Sequence, residues 1–107
     1  MTHLEFDCVV PADHPSLPGH FPGRPIVPGE LLLDRVLAVL ELATGRHFAR
    51  LHRVKFTAAL RPGEVAMARF DVDGEHASFR ISAQRDGAPV TLASGSVSLH
   101  AQGGGPA

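Results

Sequence analysis

Tryptophan and tyrosine are absent from this chain of 107 residues, and cysteine occurs once. With six scattered Phe and neither of the other large aromatics, the chain lacks the stacking set that single-stranded nucleic acid requires. A single cysteine, Cys8, can neither close an internal disulfide nor build a zinc knuckle; it reads as a buried apolar thiol in a reducing compartment. No charge of one sign dominates. Ten Lys and Arg against eleven Asp and Glu leave a net charge of −1, which argues against a broad electrostatic grip on nucleic acid. Long apolar runs are missing too. The longest, Leu31 to Ala43, is interrupted by Asp34, Arg35 and Glu41, and is too short and too charged to cross a bilayer. The opening MTHLEFDCVV has neither the basic start nor the unbroken apolar core of a signal peptide. A soluble cytoplasmic protein without a membrane role is the expectation. None of the seven histidines is spaced i, i+4 with another, no cysteine cluster supports them, and no Gly-rich phosphate loop is present, so neither metal nor cofactor is expected.

The length suits one domain, and 44% apolar residues suit a folded one. A core this small is thin, and dimerisation would cover more apolar surface. Residues 1–100 read as that domain, with 101–107 (AQGGGPA) as a flexible tail. Residues 3–10 alternate with period two, the mark of a half-buried strand, and Pro11 to Pro28 is loop by composition. ELLLDRVLAVLELA then runs without Gly or Pro as a helix of about 14 residues, with Gly45 as its C-terminal cap. Strands are expected over 48–60, 64–72, 75–84 and 88–99. Arg61-Pro62-Gly63, Asp73-Gly74 and Asp86-Gly87 supply the turns between them. One helix covering one face of an antiparallel sheet makes the class α+β.

The stretch GHFPGRPIVPGELLLD, residues 19–34, carries more rigidity than a turn needs. Prolines fix φ and restrict the residue before them, so the loop holds one shape at low entropic cost, as suits a histidine that must be aimed. That histidine is His20. Gly29 opens the helix with its backbone N–H unshielded at the positive end of the dipole. There it can polarise a carbonyl oxygen that gains charge, or simply permit a sharp turn into the helix. On a helical wheel Glu30, Asp34 and Glu41 fall within about 40° of one another. They form either a solvated stripe or, on a helix apolar nearly all round, acids facing a cavity or interface.

The ten positions from His20 to Gly29, HFPGRPIVPG, resemble the signature loop of the β-hydroxyacyl-ACP dehydratases, which have the hotdog fold: a long helix wrapped by an antiparallel sheet. The resemblance extends more loosely through Val54-Lys55-Phe56 and Leu60-Arg61-Pro62-Gly63-Glu64. The short chain is similar to dehydratases of specialised pathways such as aryl polyene assembly. Glu30 and Arg35 depart from the family's usual apolar residues. The resemblance implies a catalytic pair of His20 and Asp34, contributed by two subunits. It also implies a thioester carbonyl bound by the Gly29 N–H, and an acyl tunnel that includes Phe21, Val27 and Phe56. The implied partners are an acyl carrier protein, with Arg24, Arg46, Arg50, Arg53 and Lys55 as candidate docking residues, and a second hotdog chain in a homodimer or heterodimer. A non-catalytic hotdog subunit that binds acyl-ACP and an acyl thioesterase are the alternatives.

Overall fold

A computed structural model describes residues 1–9, 27, 29–61 and 63–101. The order of elements is β1 (Thr2–Val9), α1 (Gly29–Thr44), β2 (Phe48–Phe56), β3 (Val65–Asp73), β4 (His76–Arg85) and β5 (Ala88–Leu99). The strands form one antiparallel sheet in the order β1-β3-β4-β5-β2, with β1 and β2 at its edges. The helix and the five strands are those expected, with one shift. The segment after Val54 leaves the sheet at Phe56, so residues 57–60 are not strand but a separate wall.

Alternation decides which face each strand buries. On β3, Ala66, Ala68, Phe70 and Val72 point inward while Arg69, Asp71 and Asp73 point out; on β4, Ala77, Phe79, Ile81 and Ala83 do the same. The stacked pair Phe6 and Phe70 (5.6 Å between centroids) and the tilted pair Phe70 and Phe79 (5.7 Å) run across three strands. Leu32, Leu33, Val36 and Leu40 of α1 close this face into a single core, which includes Cys8. The helix is therefore buried along one stripe only; Glu30, Asp34, Arg35, Ala38 and Leu42 are exposed on the other side. Its start has Glu30 against the positive end of the dipole. Its end is closed by the Gly45 N–H donating to the Glu41 carbonyl (2.9 Å), with Gly45 at φ 68°.

The turns follow local chemistry. Asp86 and Gly87 both take positive φ (53° and 78°), as a two-residue type I′ hairpin demands. Three register shifts interrupt the ladders of β5. The β4–β5 register shifts after Ile81↔Ala93 to Ser82↔Thr91, so Leu92 is an extra residue and both Leu92 and Ala93 are buried. On β2 the register against β5 shifts twice, between Phe48 and Arg50 and between Leu51 and Arg53, and the edge strand bends. At Gly95, opposite both Val54 and Phe79, a Cβ would collide with the Arg53 carbonyl oxygen and come within 2.9 Å of Phe79 Cζ. The absence of a side chain there lets β2 approach the sheet.

Candidate active site

The first turn of α1 opens on a mainly apolar pocket of about 520 Å³. Val27, Gly29, Glu30 and Leu32 form one side, and residues 56–60 form the other. The two sides are joined by the Val27 N–H, which donates to the Leu60 carbonyl (2.8 Å). The half-exposed Phe56 ring lies against the bare start of the helix: a Cβ on Gly29 would sit 2.7 Å from Phe56 Cε1 and 2.9 Å from Cδ1. A side chain at Gly29 would thus push the Phe56 ring aside, and Gly29 and Glu30, in the first turn of a helix of 16 residues, line the pocket at the positive end of the dipole.

The wall over residues 57–60 is fixed by bonds that β-sheet alternation alone would not supply. The extra residue Leu92 turns its carbonyl to accept both the Thr57 N–H (2.8 Å) and the Ala58 N–H (3.3 Å). Thr57 Oγ1 donates to the Thr91 carbonyl (2.8 Å). Beyond the wall, Glu64 accepts from Arg85 twice, from Nε at 2.9 Å and Nη2 at 2.7 Å, and from the Arg61 backbone N–H at 3.1 Å. The Arg85 hydrogen bond outweighs desolvation and, with the Arg61 N–H and the positive charges of Arg85 and Arg61, holds the Glu64 carboxyl down at about 2; the same contact pushes the Arg85 guanidinium further up.

Three residues expected at the site, Val27, Gly29 and Phe56, meet in this pocket. His20, Phe21 and Arg24 lie outside the described residues. Asp34 does not line the pocket of its own chain: it is exposed on the outward stripe of α1, and the carboxylate at the pocket is Glu30, one turn earlier. Of the basic residues expected to dock a carrier, Arg46 has its Nε engaged with the His100 carbonyl (2.9 Å), while Arg50, Arg53 and Lys55 are exposed on β2. Arg53 contributes to a second concavity of about 520 Å³ on the outer face of the sheet, beside Arg69 and Arg80. Glu41 has a structural partner, accepting the Phe48 N–H at 2.7 Å. Among the described residues no group of three or more His, Cys, Asp and Glu is placed to hold a metal ion, and no helix is long and apolar enough to cross a membrane.

Sequence reasoning did not find Glu64, Arg85 or the Leu92 carbonyl. The acid following Arg61-Pro62-Gly63 is the visible signal for the first. The bulge leaves no mark, because Leu92 and Ala93 read as ordinary strand residues.

A model of the ApeI-like family, described as ApeI dehydratase, matches residues 1–96. The chain belongs to the ApeI-like dehydratase family. Among curated proteins, the 3-hydroxyacyl-[acyl-carrier-protein] dehydratase FabZ of Chloroflexus aggregans is 37% identical over 65 residues, 52% of this chain and 45% of that protein. The chain spans about half the length of the curated relatives it matches. A solved structure of an uncharacterized protein from Erwinia carotovora subsp. atroseptica superposes with a TM-score of 0.78 at 26% identity, covering 94% of this chain and 84% of that one. The dehydratase heterocomplex ApeI:P from Xenorhabdus doucetiae superposes with a TM-score of 0.73 at 24% identity, covering 91% of this chain and 86% of that one. The ApeI-like chain has the hotdog fold that the signature loop implied.

Proposed function

We propose that this ApeI-like chain is a 3-hydroxyacyl-[acyl-carrier-protein] dehydratase, eliminating water from a 3-hydroxyacyl thioester to give the trans-2-enoyl thioester. The observation that supports the reading is the mainly apolar pocket at the bare helix start, lined by Gly29 and by walls that suit an acyl chain. In this reading His20 takes the C2 proton, which the thioester makes acidic. The electron pair of that C–H bond forms the C2=C3 double bond as the C3–O bond breaks. The Gly29 N–H and the helix dipole stabilise charge on the thioester oxygen meanwhile. Asp34 gives a proton to the departing hydroxyl, which leaves as water.

The exposure of Asp34 supports a site shared by two subunits, in which it serves the pocket of a neighbouring hotdog chain, a copy of itself or a relative. The edge strand β2, which among the described strands pairs with β5 alone and has Leu51 and Phe56 exposed, is the surface offered for that neighbour. The exposed Arg50, Arg53 and Lys55 are offered as contacts for an acidic carrier, acting in the cytoplasm.

The test is to give purified protein a 3-hydroxyacyl-ACP and follow the acyl group by mass spectrometry. Loss of one water, abolished by His20→Ala, is the expected result; unchanged turnover in that variant removes His20 from the mechanism. Release of free acid and carrier thiol makes the chain a thioesterase. Turnover that appears only when a second hotdog chain is added makes it a partner-dependent subunit.

A further inference from the structure

We propose that Arg85 is a positioning residue of the pocket, setting through the Ala59 carbonyl the wall against which the acyl group is held. The substrate named here rests on the dehydratase reading; the positioning itself does not. Arg85 is the last residue of β4, directly before the Asp86-Gly87 turn, so its backbone is fixed by a tight hairpin. Its guanidinium reaches the segment that leaves β2 and makes a third bond besides the two to Glu64: Nη2 donates to the Ala59 carbonyl at 2.6 Å. The ion pair is the least exposed of the four among the described residues, with side chains 19% and 17% accessible, whereas the others range from 36% to 87%. Shielding strengthens the bonds to Glu64, which anchor the guanidinium while its Nη2 reaches the exposed Ala59 carbonyl.

The consequence runs towards the site. The wall hangs from β5 at Thr57 and Ala58, from β4 at Ala59, and carries Val27 at Leu60. Val27 bonds to the wall, not to the sheet, and stands two positions before Gly29. Whatever fixes the Ala59–Leu60 peptide therefore fixes the pocket's other side as well. Only a planar fork with five donors can hold both oxygens of one carboxylate and a carbonyl together; a lysine reaches fewer of them and in no fixed plane. A bare structural ion pair would need the carboxylate alone. The bond to Ala59 is what makes Arg85 a device of the pocket.

Two variants of the full chain separate these roles: Arg85→Lys keeps the charge but loses the fork, and Glu64→Gln keeps the shape and leaves the guanidinium free to hold Ala59. Amide hydrogen exchange by NMR reads the wall at Val27 and the sheet at Ile81 and Val97, with no substrate required. In Arg85→Lys the Val27 amide is expected to exchange about tenfold faster while Ile81 and Val97 stay unchanged, with a clearly smaller effect in Glu64→Gln. KM for a 3-hydroxyacyl thioester should rise by about tenfold in Arg85→Lys with kcat changed far less, the signature of lost ground-state grip. Unchanged exchange at Val27, acceleration there only in step with Ile81 and Val97, or equal effects in the two variants would reduce Arg85 to a structural ion pair and overturn the proposal. Faster exchange at Val27 with unaltered KM would overturn its link to the acyl group. Absence of dehydration by the unaltered protein would fail the functional reading alone, since the exchange measurement still decides the positioning.

Discussion

At the scale of single residues, the three carboxylates of α1 have three different surroundings although the sequence places them on one stripe. Glu30 lines the pocket, Asp34 is exposed, and Glu41 accepts the Phe48 N–H. Substitutions should separate accordingly. Asp34→Asn is expected to leave the melting temperature unchanged and to lower turnover by about a hundredfold or more, the range of a lost general acid. Glu41→Ala should do the reverse, weakening the fold by about 1–2 kcal/mol in a denaturant titration, because a backbone donor loses its charged acceptor. Equal turnover in Asp34→Asn and the unaltered protein would remove Asp34 from the site. Gly29 offers a second test at this scale. Its neighbour across the pocket is a half-exposed ring at the sheet's edge, which can swing aside, so Gly29→Ala should change stability by less than about 1 kcal/mol. The displaced Phe56 should instead show as a methyl-to-ring proximity and as a fall in kcat. The wheel gave the stripe but not the division of labour, because what an acid on a helix does depends on which neighbours the rest of the chain brings to it.

Elements carry the next level. Periodicity and turn residues located the helix and the five described strands to within a few positions, whereas the buried faces of β3 and β4 are read from the structure. The segment after Phe56 escaped, for a physical reason. Its residues Thr57, Ala58, Ala59 and Leu60 have ordinary strand chemistry, and they leave the sheet because the Leu92 carbonyl and Arg85 capture them. That capture has a pH signature. The Glu64 carboxyl is held near 2 in the folded chain, below its ordinary value of 4.5. The unfolded state therefore binds the proton first as pH falls. The contribution of the pair is complete above about 4.5 and disappears as pH drops through about 2. Thermal unfolding between those limits should show a steeper loss of stability in the unaltered protein than in Glu64→Gln; parallel curves would mean that the pair does not titrate with folding.

At the scale of the whole molecule, the described residues form one sheet with one helix on one face, and both α1 and the edge strand β2 leave apolar side chains exposed: Leu42 on α1, Leu51 and Phe56 on β2. A single layer of this size gains from a second subunit more than a thick core would. The sequence argued for such a partner through size and through the signature loop, and the class α+β followed from the order of elements. The wheel offered the Glu30, Asp34 and Glu41 stripe as either solvated or facing a cavity or interface, and could not choose between them, since Leu and Ala occupy nearly all the other faces. If β2 is the joining edge, Leu51→Lys should move the native mass measured by light scattering towards that of one chain while far-ultraviolet circular dichroism stays constant. A native mass unaffected by the substitution would assign that edge no part in assembly.

The bare position at Gly95 bears on how this protein can change over time. The strand that forms the lip of the pocket and the open edge of the sheet rests on a point where even a methyl group would strike the Arg53 backbone and crowd Phe79. Backbone, unlike a flexible ring, has nowhere to go. A saturation library scored for activity should therefore find Gly95 among its least permissive codons, although no substrate atom need come near it, while Gly29, set against a movable side chain, accepts small replacements with partial function. The freedom of this lineage to remodel its pocket then lies on the helix side, and the β2–β5 seam is the part of its history that is locked.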